Sequence, residues 1–75
     1  MPEDLRQGIR ECMALAFSIS NDQLPENADV ENVLQWDSLG HLALFEELNT
    51  KYPGKLEFAK FRLLLSEDDI LLALS

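Results

Sequence analysis

The run Asp37-Ser38-Leu39 offers a serine hydroxyl where an acid-rich polar loop gives way to an amphipathic helix. The chemistry that suits such a hydroxyl is attachment of a phosphate ester. Unpaired backbone N–H groups in a first helical turn, together with the positive end of the helix dipole, stabilise an anion there. Ser38 is therefore the candidate for covalent modification. His41 is the sole histidine and stands three residues further on, close enough on a helix to suggest a nucleophile and its base. No aspartate or glutamate on the same helix is placed to orient that imidazole, and no oxyanion site is visible. His41 therefore reads as a partly buried packing residue rather than a catalyst. Cys12 falls on an apolar stripe and reads as a small buried hydrophobe. Glu67-Asp68-Asp69 could hint at a metal, yet the ligand spacing of a calcium loop is absent and helix capping accounts for these acids. No metal site is expected.

The elements that must position Ser38 can be read from periodicity and stop signals. Pro2 can open a helix because its missing N–H would have been unpaired there, and Glu3 and Asp4 suit the first turn. Leu5, Ile9, Cys12, Met13 and Ala16 then recur at helical spacing, which predicts a first helix from Pro2 to about Phe17. From Ser18 to Asp37 the chain carries Asn21, Asp22, Pro25, Asn27, Asp29 and Asn32 and reads as a long ordered loop. Val30, Val33, Leu34 and Trp36 are its expected anchors, Trp36 above all. A second helix runs from Ser38 to Tyr52 with Asp37 as N-cap, and Pro53-Gly54 stops it. Phe58, Phe61, Leu64 and Leu65 predict one side of a short third helix. Ser66 is a fresh N-cap, followed by Glu67, Asp68 and Asp69 in the first turn and by Ile70, Leu71 and Leu74 as the apolar face of a fourth helix. Four apolar helical stripes without a strand pattern or an internal repeat predict an all-α, small four-helix bundle, with the whole chain, 1–75, as a single domain.

Composition narrows the function. At 75 residues the core is small, and an active site buried on all sides is not expected. Fourteen acids against six bases give a net charge of -8, which argues against a sequence-independent grip on nucleic acid or anionic lipid. Macromolecular partners should be basic. The acids are spread along the chain and 47% of residues are hydrophobic, a folded rather than disordered composition. One cysteine excludes an internal disulfide. Without a signal-peptide pattern or an apolar run of membrane-spanning length, a soluble cytoplasmic protein is the expectation.

On the second helix, at 100° per residue, His41, Leu44, Phe45, Leu48 and Tyr52 cluster on the core side. Leu39, Leu42, Ala43 and Glu46 fall on another face. Two leucines beside the modifiable serine, rimmed by Glu46 and Glu47, make a docking surface. The alternative is that Leu42 packs under the long loop and Leu39 is a tolerated exposed leucine.

Trp36-Asp37-Ser38-Leu39-Gly40-His41, followed by a helix ending in Glu46-Glu47-Leu48-Asn49-Thr50-Lys51-Tyr52, resembles the attachment motif and second helix of acyl carrier proteins. The resemblance covers nearly the whole chain: length, acidity, the long first loop and the closing Leu65-Ser66-Glu67-Asp68-Asp69-Ile70 helix agree with it. It implies a bundle of acyl-carrier type whose Ser38 receives 4'-phosphopantetheine from coenzyme A through a separate phosphopantetheinyl transferase. The terminal thiol of that arm would hold an acyl group as a thioester, so the carrier itself would not be an enzyme. The resemblance further implies that Asp37 helps present the metal-bound coenzyme A of the transferase and that Leu39 docks into a pocket on it; His41, if not a packing residue, would contact the arm. Loading ligases and acyl-processing enzymes with basic patches would read Leu42, Glu46 and Glu47, and the carrier would be a monomer.

The chain also departs from housekeeping fatty-acid carriers. Where they place acids along the second helix, this sequence has Gly40, Ala43, Asn49, Thr50 and Lys51. Leu56-Glu57 replaces the usual Ile-Pro, and Phe58, Phe61 and three consecutive leucines would narrow the cleft in which relatives shelter acyl chains. A discrete carrier for a specialised lipid, polyketide or related pathway fits better. An aminoacyl or peptidyl carrier, an unmodified helical interaction module, and a small hydrolase using Ser38 and His41 are the alternatives.

Overall fold

The computed structural model describes residues 2–75, and side chains from residue 5 onward. The expected roles of the Pro2, Glu3 and Asp4 side chains in the first turn lie outside that range. The backbone forms α1 (Pro2–Phe17), a 3₁₀ turn (Asn21–Gln23), α2 (Ser38–Lys51), α3 (Phe58–Phe61) and α4 (Glu67–Leu74). Among the described residues there is no β-strand, only an isolated antiparallel bridge between Asp29 and Ser66, and no helix is long and apolar enough to cross a membrane.

The stripe on α1 buries as its spacing predicts. Ile9, Cys12, Met13 and Phe17 lie in the core while Leu5 and Ala16 pack at its edge, and α1 packs against both α2 and α4. Ser18 adopts φ 57, and the Ile19 amide returns to the Ala14 carbonyl at 3.1 Å, a left-handed stop that satisfies the carbonyls at the helix end. On α2, Leu44 and Leu48 are fully buried, with His41, Phe45 and Tyr52 at the margin of the core. The helix ends at Lys51, with Tyr52 as its C-cap. Gly8 of α1 receives the Tyr52 hydroxyl, where a Cβ would collide with it.

Burial at the α1–α2 contact has a consequence at alkaline pH. Desolvation raises the Cys12 thiol above its ordinary 9.0 and the Tyr52 phenol above 10.0. Raised folded-state values mean that the stability these groups carry is complete below their ordinary values and is lost as pH rises through the folded-state values. Thermal melts are expected to show Tm falling progressively above pH 9, with a shallower fall in Cys12→Ala.

The long loop is tied down at both ends. Asp29 accepts from the Glu31 and Asn32 amides at 2.8 and 2.9 Å, and the Asn32 side chain accepts from Asp29 N and donates to Asn27 O. These closures let the peptide groups turn without an orphaned donor. Leu24, Ala28, Val33 and Trp36 plug into the core. Leu34, expected as an anchor, is 91% exposed. Bonds from Val33 N to Asp29 O and from Trp36 N to Val33 O make two successive turns, which send Val33 inward and its neighbour outward. Val30 is also exposed.

The third helix is a single turn. After Phe61 the Leu63 and Leu64 amides bond carbonyls three residues back, a tightening that ends an α-helix. Phe61 is fully buried, whereas Phe58, Leu63 and Leu65 are exposed. Ser66 caps α4 as expected, accepting from the Asp69 amide at 3.1 Å. Glu67 stands in the first turn of α4 as expected, and it has a further role that the helix signal did not show. It is 1% exposed, and its two oxygens accept from Arg6 and Arg10, each at 2.5 Å.

Candidate functional site

Three contacts fix the junction that presents Ser38. Asp37 is extended, with φ -99 and ψ -165, and its carboxylate accepts from Gly40 N at 2.8 Å. That bond satisfies one of the free amides of the first turn of α2. The Asp37 carbonyl accepts from His41 N at 2.8 Å. Gly40 is buried, and a Cβ there would fall onto the Gln35 carbonyl oxygen and crowd the Phe17 ring. The loop can reach α2 only because this position lacks a side chain. Gly40→Ala is expected to cost about 1–3 kcal/mol, the range for overpacking a close contact, measurable by urea denaturation.

Trp36 and His41 form the floor of the site. The Trp36 Nε1–H donates to His41 Nδ1 at 2.8 Å, and His41 Nε2 lies 2.8 Å from the Phe61 carbonyl oxygen. An indole can only donate, so Nδ1 accepts, and the imidazole proton sits on Nε2 and is donated to Phe61. The ring stacks on Phe61 with centroids 4.2 Å apart and on Trp36 at 6.2 Å, and Trp36 meets Phe17 at 5.4 Å. His41 thus clips α2 to α3 and to the loop. Both ring nitrogens are committed elsewhere, so this geometry gives Ser38 no base. His41→Ala, which leaves a buried indole donor unpaired, is expected to cost about 2 kcal/mol in stability. The same variant should leave the Ser38 hydroxyl accessible, checked by whether it can still be modified.

Ser38 itself is exposed. It stands at an open cleft of about 340 Å³ lined by Val30, Trp36, Asp37, His41, Arg62 and Leu65. Leu39 is 78% exposed and Leu42 is also exposed, as is Glu46, while Glu47 is half-buried. Leu42 therefore does not pack under the loop, and the two leucines flank the serine on open surface. The structure brings Asp37, Ser38 and His41 to one cleft. Arg62, Leu65 and Val30 join them unforeseen, because Val30 in the long loop lies far in sequence from Arg62 and Leu65 after α3, and only the folded packing brings them together.

Of the acids after Ser66, Glu67 and Asp68 are both engaged by the Arg6 guanidinium. Among the described residues no group of three or more His, Cys, Asp and Glu side chains is placed to hold a metal ion. Comparison with protein families, with curated proteins and with solved structures finds no match to this chain.

Proposed function

We propose that this chain is an acyl carrier: Ser38 takes a phosphopantetheine arm from coenzyme A, and the arm presents a thioester-bound cargo to partner enzymes. The observation that carries the reading is an exposed serine hydroxyl at the first residue of α2, on the rim of an open cleft, at a junction fixed by the Asp37 cap and the Gly40–Gln35 contact. A separate transferase would supply the base. The serine oxygen forms the new bond to phosphorus, the pyrophosphate bridge of coenzyme A breaks, and the nucleotide half leaves. Leu39 and Leu42 supply the exposed apolar surface that a docking transferase would need, with Asp37 and Glu46 beside them as charged rim.

The cargo we propose is small, or is held outside the bundle, in keeping with a specialised pathway. Phe45 packs edge-on against Phe58 at 5.2 Å and against Phe61 at 5.3 Å, and His41 covers the other side of Phe61. Those rings occupy the space between α2 and α3 that a long acyl chain would need. An aminoacyl cargo fits the same arrangement.

A thiol titration tests the proposal. Cys12 is buried and its thiol is pushed up by desolvation, so native protein should react only slowly with an aromatic disulfide reagent. After incubation with coenzyme A, magnesium and a broad-specificity transferase, followed by desalting, one fast-reacting thiol per chain is expected. No new fast thiol, in protein shown by circular dichroism to be folded, would favour an unmodified interaction module that uses the same leucines.

A further inference from the structure

The cleft beside Ser38 has one cationic wall in an otherwise acidic protein. Of the six bases, Arg6, Arg10, Lys51 and Lys60 are engaged with carboxylates, and Lys55 is not among the residues lining this cleft. Arg62 has no ion-pair partner among the described residues and lines the cleft that contains Ser38. The one carboxylate lining the same cleft is Asp37, and it already accepts from the Gly40 amide. Val30, Leu65 and Trp36 supply its apolar lining. Two of these residues are held in register by the bond from Val30 N to Leu65 O at 3.2 Å. At about 340 Å³ the cleft lies near the lower end of the roughly 300–1,000 Å³ usual for small-molecule sites.

We infer that this cleft is a docking site for a phosphodiester with a short aliphatic tail, in which Arg62 pairs with the phosphate and Val30, Leu65 and Trp36 receive the adjoining methyl-bearing segment. The inference rests on the proposed modification of Ser38, and it names what the arm does once attached: it lies in the cleft rather than swinging free. A guanidinium suits the task because its planar fork meets two phosphate oxygens at once. It also offsets the repulsion that Asp37 would exert on a phosphate at Ser38. Docking of this kind holds the loaded arm back until a partner displaces it.

The test uses the modified full chain, with its mass verified, as wild type, Arg62→Gln and Arg62→Lys. Arg62 is exposed, so the variants should fold as wild type does, and spectra of the unmodified proteins provide the control. In the wild type, modification is expected to shift the methyl signals of Val30 and Leu65 and the Trp36 indole signal. Its phosphorus resonance should also be displaced from that of free phosphopantetheine. Arg62→Gln should lower the ratio of docked to free arm about fivefold, the factor that a solvent-exposed ion pair at the top of its usual range supplies. Arg62→Lys should fall between, and added salt should move the wild type the same way. Identical methyl and phosphorus signals in modified wild type and modified Arg62→Gln would overturn the docking site while leaving the carrier reading intact. A protein whose mass does not change on incubation would overturn the carrier reading, and the docking site with it.

Discussion

Replacing Glu67 by alanine is expected to lower stability by about 3 kcal/mol, near the lower end of the cost of breaking a buried ion pair. For a chain of this size that corresponds to a fall in Tm of more than about 10 °C, measurable by calorimetry. Glu67 is 1% exposed and is the hub of a cluster that joins three parts of the fold. One oxygen accepts from Arg6 of α1, the other from Arg10 of α1, and that second oxygen also accepts from Ala28 N at 3.4 Å. Arg10 in turn donates to the Leu24 and Pro25 carbonyls at 2.9 and 3.2 Å. One carboxylate therefore ties α4 to α1 and to the loop that leads to Ser38.

Alanine removes the carboxylate from between two guanidinium groups and leaves a void where the side chain was. Arg6 is 38% exposed and Arg10 19%, so both can recover some hydration, which holds the expected cost near 3 rather than 5 kcal/mol. The Arg6 guanidinium, raised above its ordinary value by hydrogen bonds to Asp68 and then Glu67, stays charged throughout. Glu67→Gln is expected to cost less than alanine because it keeps the shape and one acceptor. A stability of Glu67→Ala within about 0.5 kcal/mol of wild type, the spread of ordinary surface changes, would contradict this account of the cluster.

The second large effect is on chemistry rather than stability. Ser38→Ala is expected to abolish uptake of phosphopantetheine while changing stability by no more than about 0.5 kcal/mol. The reason lies in the division of labour at the start of α2. Capping belongs to Asp37, whose carboxylate holds Gly40 N, and Ser38 is an exposed first helical residue. Alanine is a good helix former there, so only the nucleophile is lost. Asp37→Ala should cost about 1 kcal/mol through the lost cap and slow modification without abolishing it, since the serine oxygen stays in place while a charged contact to the transferase is lost. Comparing melts and mass spectra of the two variants separates the reactive group from its support.

The sequence carried the helices because their signals are local. The α1 stripe, the Asp37 cap, the Pro53-Gly54 stop and the Ser66 cap each depend on residues within a few positions of one another, and α1, α2 and α4 lie where those signals put them. Glu67 shows where local reading ends. Its position after Ser66 suited the helix dipole, and nothing nearby revealed partners 57 and 61 residues away. Leu34 failed as an anchor for a related reason: hydropathy marks two adjacent residues as apolar, but the turn through Val33 buries only one. At the candidate site, Asp37, Ser38 and the exposed Leu39 were legible from the motif and the helix wheel. The Trp36–His41–Phe61 clip and the approach of Arg62 to the cleft depend on how α3 folds back on α2. That packing has no periodic signature in a helix of one turn.

The most direct test is the intact mass of the purified protein after incubation with coenzyme A, magnesium and a broad-specificity phosphopantetheinyl transferase, run beside Ser38→Ala. The expected result is the gain of a single phosphopantetheine by the wild type and none by the variant. No gain in folded wild type, or an equal gain in the variant, would contradict the carrier function proposed for Ser38.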